Sequence, residues 1–307
     1  MNAKHIKQFA VIMALFIAGS ILMADPARKQ IITAAELKPV IEKLKPLHQK
    51  ISQPGLSDWL AQHNEPGQTF NQYVQSRPVT PQGIRNVLYI QPIGKFTKTQ
   101  QKIVTLTAEY MEHYFSLKVK INETIPLSVI PDTARRTHPG WGCKQVLSTY
   151  VLYNVLKPRL PDNAAAMIAF TASDLWPGKG WNFVFGQASI RERVGVWSIY
   201  RNGDPDKDKE SFKLCLMRTI KTAVHETGHM FSIRHCTAYE CCMCGSNHRE
   251  ESDRRPLYLC PECTAKICWV TQTDPIARYK RLMGFCKGNG FEQEFIFFEK
   301  SIQRLEK

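Results

Sequence analysis

Hydrophobic and polar positions change their period several times along this chain of 307 residues. Lys4, His5 and Lys7 precede an apolar run from Phe9 to Ala24, interrupted only by the small residues Gly19 and Ser20. A basic start and an apolar stretch shorter than the roughly 20 residues that span a bilayer form the pattern of an export signal. Cleavage is expected after Ser20 or Ala24. Left uncleaved, the segment becomes a membrane anchor, and a buried amino-terminal helix of a cytosolic protein is the competing reading. The expected location is therefore exported, secreted or periplasmic, or anchored at a membrane.

Residues 25–85 read as an amino-terminal extension, broken by Pro39, Pro46, Pro54 and Pro66. Leu37, Val40, Ile41, Leu44 and Leu47 recur at helical spacing, so a packed arm is expected rather than a free tail. From Asn86 the pattern changes. NVLYIQPIG predicts a buried strand with a turn at Gly94, and a helix follows over Thr99 to Ser116 with Ile103, Leu106, Tyr110 and Tyr114 on one side. KVKINETIPL alternates like a strand, and a second helix is predicted from Lys144 to Leu156, ended by Pro158. AAMIAFTASDL, WNFVFGQAS and RVGVWSIYR have strand length and are rich in apolar, aromatic or β-branched residues. A long helix is predicted over Ser211 to Ser232, then a cysteine-rich loop region, then a terminal helical segment from Asp274 with a break at Gly288 to Gly290. The reading is a mixed α/β domain over residues 86–307, without internal repeats.

The formal charge of +14 would fall only to +12 if residues 1–24, with Lys4 and Lys7, were removed. The basic residues are spread along the chain, with no run interleaved with aromatics, so no nucleic-acid partner is expected. Six of the ten cysteines lie between Cys236 and Cys263, which favours metal ligation over a disulfide framework. Disulfides are the alternative for Cys143, Cys215, Cys268 and Cys286.

Residues 225–235 read HETGHMFSIRH. Positions four apart on a helix face the same way, so His225 and His229 can grip one metal ion from consecutive turns, with His235 as third ligand. Three imidazoles suit zinc and leave a position open for water, as a catalytic site requires. Glu226, next to the first ligand, is placed to take that water's proton during attack on a peptide carbonyl. A basic balance or a cysteine-rich loop could instead signal nucleic-acid binding through the thiolates, but no recognition helix or stacking platform accompanies them.

The block HETGHMFSIRHCTAYECCMCGSNHREESDRRPLYLCPEC resembles the archaemetzincins, a family of metzincin zinc metallopeptidases. FTASDLWPGKGWNFVFGQAS and RVGVWSIYR resemble them too, so the likeness covers at least Ala169 to Cys263. It implies a metzincin-like mixed twisted sheet, an active-site helix, a zinc-stabilised loop region and a C-terminal helix. It also implies two zinc ions, one catalytic and one structural in a Cys₄ site of Cys236, Cys241, Cys260 and Cys263. Cys242 and Cys244 rival Cys241 on spacing, and the resemblance selects Cys241. Met243 matches the methionine that underlies the metal, and Glu226 the general base. The implied substrate is a peptide or protein, with a membrane involved only through an uncleaved amino-terminal segment.

Ser232 departs from the pattern, which has glycine there to turn the chain between the second and third ligands. A left-handed serine costs on the order of 1–2 kcal/mol. The alternative it raises is a catalytically inactive, zinc-stabilised peptide-binding module. WNFVFGQAS or RVGVWSIYR could be an edge strand that pairs with extended substrate, or an internal one. His248 to Arg255 reads as a solvated segment that fixes a loop, with Asp253 and the arginines in salt bridges.

Overall fold

In the computed structural model, which describes residues 31–81 and 83–307, the apolar run after Asn86 becomes strand β1 (Val87–Ile93), buried at all seven positions. Successive side chains of a strand point to opposite faces, and here both faces are covered. Leu88 and Ile90 join the core built with helices α4 (Lys98–Phe115) and α6 (Lys209–Met230). Val87 and Tyr89 join a second core with Val151, Leu152, Val155 and Leu156 on the other side. The segment expected to be a signal or anchor, residues 1–24, lies outside the described residues. Among the described residues no helix is long and apolar enough to cross a membrane.

Five strands form the main sheet in the order β2 (Lys118–Ile121), β1, β5 (Ala164–Thr171), β8 (Val194–Ser198), β7 (Gly186–Ser189). Neighbours are parallel except β7, which runs antiparallel to β8 and ends the sheet as an edge. WNFVFGQAS therefore supplies the edge and RVGVWSIYR the internal strand. A smaller sheet orders β3 (Arg135–Thr137), β4 (Lys144–Leu147) and β6 (Asp174–Trp176).

The helix expected over Lys144–Leu156 is corrected by the structure. Its first four residues are β4, paired with β3 on one side and β6 on the other, and only then does the chain coil, as α5 (Ser148–Tyr150) and a wide-turn segment over Val151–Leu156. Pairing with β6 buries Val146, and that partner lies too far along the chain to show in local periodicity. The run AAMIAFTASDL likewise divides, with β5 in the main sheet and β6 in the small one.

Helix α6 begins at its cap Asp208, whose carboxylate accepts from the Ser211 N–H at 2.7 Å, and packs against α4, β7 and β8. The region after it, expected as loop, holds α7 (Arg249–Arg254) and α8 (Pro261–Thr271). Cys260 caps α8 and Pro261 starts it, a terminus signal hidden inside what reads as a ligand motif. Helices α9 (Pro275–Asn289) and α10 (Glu292–Glu306) follow, with the expected break at Gly290.

In the extension, Thr33 and Glu36 form a capping box that opens α1 (Ala34–Leu44), whose buried Leu37, Ile41 and Leu44 realise the helical spacing expected of a packed arm. Two short helices follow, α2 (Trp59–Gln62) and α3 (Phe70–Gln75). Helices α1 and α3 both pack on α8, and Leu44 and Tyr73 belong to the same core as α4 and α6.

Candidate metal centre

One helical turn separates His225 from His229 near the end of α6, and the chain then doubles back to bring His235 beside them. The reversal turns on Ser232, which takes the left-handed conformation at φ 65° that the sequence pattern assigns to glycine. Its geometry is held from outside. The Ser232 hydroxyl accepts from the Val79 N–H at 3.1 Å, its carbonyl accepts from Gln68 Nε2 at 3.4 Å, and the neighbouring Phe231 carbonyl accepts from the Tyr73 hydroxyl at 2.7 Å. Every one of these partners lies in the extension. At Gly67, with φ +67°, the arm comes so close that a Cβ would lie 2.3 Å from Thr237 Oγ1.

Nitrogens of the three imidazoles all lie within 4.8 Å of one another. His225 Nδ1 donates to the Cys242 carbonyl at 2.8 Å and His229 Nδ1 to the Ile233 carbonyl at 2.6 Å. A carbonyl accepts only, so each Nδ1 carries the proton and each Nε2 presents a lone pair. Yet the two Nε2 atoms are 3.0 Å apart. Two lone pairs at that distance repel unless a cation lies between them, so this donor set fits a metal ion. His235 Nδ1 meets both carboxylate oxygens of Glu65, at 3.0 and 2.9 Å. Trp59 sets its ring edge-on to His235 at 5.1 Å and stacks on His63 at 3.8 Å.

Burial holds His225 and His229 down to about 4, and the neighbouring imidazole of each adds to the effect. Both are therefore neutral, the ligating form, at ordinary pH. Burial raises Glu226 above the usual carboxylate range, opposed by His229 and His235. His48, whose two ring nitrogens find no partner among the described residues, is also lowered to about 4 by burial. The unfolded chain takes up protons on these three side chains near pH 6.5 while the folded chain refuses them. Stability of the metal-free protein is thus full above pH 6.5 and falls as pH drops toward 4, by up to roughly 3 kcal/mol for each histidine. Thermal unfolding of chelator-treated protein from pH 7 to pH 4 checks this, with His48→Phe expected to flatten the slope.

Met243 is fully buried beneath the helix. A Cβ on Gly228 would come 2.8 Å from its sulfur, so glycine between Thr227 and His229 is what lets the methionine reach this position. The Cys236 N–H donates to the Met243 carbonyl at 2.8 Å, which ties the turn to the residue after His235.

Cys236, Cys241, Cys260 and Cys263 form a second cluster, all buried, with their sulfurs within 4.8 Å of one another. All ten cysteines are free thiols, so the alternative of disulfides at Cys143, Cys215, Cys268 and Cys286 is not realised. Cys241 Sγ accepts from the N–H groups of Met243 and Cys260 at 3.4 and 3.2 Å, and Cys260 Sγ accepts from the Cys263 N–H at 3.4 Å. Such donors favour thiolates, and a thiolate set closed on all sides suits a structural metal. Neighbouring sulfurs hold Cys236 well below the usual thiol range, while burial pushes Cys241 and Cys260 well above it, a cost that a cation bound among the four sulfurs would offset. Of the two rivals, Cys244 lies against Cys236 at the rim of the cluster, whereas Cys242 faces away from it. Cys242 lends its carbonyl to His225 while burial pushes its thiol up to about 12, and Cys244 donates to the Tyr239 carbonyl at 3.2 Å.

The histidines line a cleft of about 600 Å³ that runs along the chain leading into β7, with Trp181, Phe183, Phe185 and Glu226 in its walls. Behind His229 and His235 a second cavity of about 550 Å³ is walled by the extension, including Glu65, Gln68 and Arg77. Within His248 to Arg255, Arg249–Arg254 form α7 and both Glu251 and Arg255 are buried, so the segment is not solvated throughout, but its ion pairs do tie elements together: Arg218 to Asp253 at 2.5 Å and Arg254 to Asp58 at 2.8 Å. Sequence reasoning missed Glu65 and Trp59. Glu65 lies 170 positions from the histidine it holds, in a segment whose only local signal is the turn Glu65-Pro66-Gly67.

A model of Peptidase family M54 matches residues 164–268, which include both clusters. Archaemetzincin-2 of Homo sapiens is 34% identical over 259 residues, covering 74% of this chain and 71% of that protein. The archaemetzincin of Thermococcus kodakarensis is 33% identical over 189 residues, covering 59% of this chain and 95% of that protein. The crystal structure of archaemetzincin from Methanopyrus kandleri is 28% identical, covers 61% of this chain and 96% of that one, and superposes with a TM-score of 0.49. With a third of its residues shared across most of its length, this chain belongs to the archaemetzincin family and is a zinc-dependent metallopeptidase.

Proposed function

We propose that His225, His229 and His235 hold the catalytic zinc, that Glu226 is the general base, and that Cys236, Cys241, Cys260 and Cys263 hold a second, structural zinc. The observation that best supports the first assignment is the pair of Nε2 lone pairs 3.0 Å apart, each fixed by a Nδ1 hydrogen bond on the far side of its ring. Zinc bound there would lower the pKa of water toward about 7 and polarise the scissile carbonyl.

The chain's own residues do the rest. An extended peptide adds to the free edge of β7 through main-chain hydrogen bonds, which lays its scissile bond along the cleft. Glu226, raised by burial and so more basic than a solvated carboxylate, takes the proton of the attacking water. It then returns that proton to the departing nitrogen. Met243 packs against the helix between the ligands and supports them without ligating. Metal content per chain tests the assignment. Two zinc ions are expected, and a single one overturns the division into catalytic and structural sites.

Glu65 is a positioning residue in this reading. A carboxylate behind a ligating imidazole fixes its orientation and raises its basicity, and losing one typically costs 10–100-fold in metal affinity. Glu65→Ala is expected to weaken the catalytic zinc by that order in a competition titration against a chelator, with Glu65→Gln intermediate. Unchanged affinity in both variants sinks the role.

A further inference from the structure

A side pocket of about 90 Å³ opens from the cleft. Phe185, His225, Glu226 and Ser246 line both spaces and so mark the junction, whereas Lys221, Arg249 and Arg255 line the side pocket alone. Its volume is several times what one water needs, and its walls carry three cations against one carboxylate, Glu226 at the mouth.

Arg255 is neutralised by Glu240 and by Glu251. The other two cations are not. Lys221, 7% exposed, donates only to main-chain carbonyls, of Ser252 at 3.0 Å and Asp253 at 3.4 Å. Arg249 Cζ stands 3.8 Å from the centre of the Phe185 ring, and the guanidinium donates through Nη2 to the Arg201 carbonyl at 3.2 Å and Asn202 Oδ1 at 3.0 Å. Neither forms an ion pair with any described residue, because the nearby Asp253 is engaged through both oxygens by Arg218. Burial lowers both cations, Arg249 to about 10, against the opposing pull of Asp253 on each and of Glu294 on Lys221.

We propose that this pocket takes a carboxylate of the substrate, with Lys221 and Arg249 as its specificity-determining pair. The proposal rests on the peptidase reading and on Glu226 marking the reacting bond. A carboxylate entering beside Glu226 belongs to a residue flanking the scissile bond. It comes from an aspartate or glutamate side chain there, or from a free C-terminus that ends there. Either source supplies the direct ion pair that neither cation forms with a described residue, and a fork-shaped guanidinium set over an aromatic ring is suited to receive it.

The experiment uses the full-length zinc-loaded protein and matched peptides with Asp, Asn, Glu or Gln at each position flanking the cleaved bond, each with a free or amidated C-terminus. A charge-assisted hydrogen bond predicts kcat/KM on the order of 10-fold higher for the acid than for its amide. Insensitivity to amidation assigns the carboxylate to the side chain, and loss of cleavage on amidation assigns it to the terminus. In Arg249→Gln and Lys221→Met the acid-to-amide ratio is expected to fall toward one. Equal rates for acids and amides, with free and blocked termini alike, overturn the proposal without touching the peptidase assignment. If no peptide is cleaved, the peptidase reading fails instead. Calorimetric binding of the same peptides to Glu226→Gln then decides the pocket: tighter binding of the acids sustains it and equal binding overturns it.

Discussion

Replacement of Glu226 by Gln is expected to lower peptide cleavage by on the order of 10²–10⁴-fold, the usual worth of a positioned general base, while zinc content stays at the wild-type value. The side chain does not take part in the ligand cluster of three histidines, so the metal should remain. Glutamine keeps the shape but can accept no proton. Because burial already disfavours the ionised carboxylate, a neutral amide in its place should leave thermal unfolding at or above the wild-type temperature. Cleavage rate, bound zinc and unfolding temperature measured on the same preparation separate the outcomes. A Glu226→Gln protein with wild-type turnover would show that the proton goes elsewhere, and no other carboxylate among the described residues lines the cleft beside the histidines.

The second large effect is expected at Cys260. Its sulfur lies 3.6 Å from that of Cys236 and accepts from the Cys263 N–H at the start of α8. Structural zinc contributes apparent binding energies of about 10–16 kcal/mol in small domains, as much as the whole stability of a typical fold. Cys260→Ser should therefore lose one zinc equivalent and lower the unfolding temperature by at least about 10 °C, reading several kcal/mol at about 2–4 °C each. The loss should spread to the first site. Cys236 follows His235 directly and its N–H is bound to the Met243 carbonyl, so releasing Cys236 frees the segment that aims the third imidazole. Cys244→Ser is the matched control, since a hydroxyl can still donate to the Tyr239 carbonyl and the cluster keeps its four sulfurs. Equal zinc loss in both variants would mean that Cys244 is a ligand and that the set of four is wrongly drawn.

The helical and cysteine motifs were legible because their geometry is local. Four residues make one helical turn, so His225 and His229 had to share a face once α6 formed, and Glu226 had to sit beside them. Chain reversal at Ser232 was legible too, since His235 follows by only three positions. The left-handed serine it requires is what the structure shows, and it bears on the alternative of an inactive binding module: the arm holds the strained residue through Val79, Gln68 and Tyr73. No local rule announces that support.

The periodic elements, the metal-ligating chemistry and the family resemblance were all readable along the chain, because each depends on spacings of a few residues. Features that depend on partners far along the chain were set by packing instead. Lys144–Leu147 became a strand because β6 lies beside it, and WNFVFGQAS became the edge because no described strand pairs beyond β7. The same holds for Glu65 at His235, Trp59 beside it, and Lys221 and Arg249 of the side pocket, which form no ion pair with a described residue. A charge or a carboxylate reads the same in any sequence position, and only packing in three dimensions fixes which group faces it and which faces none.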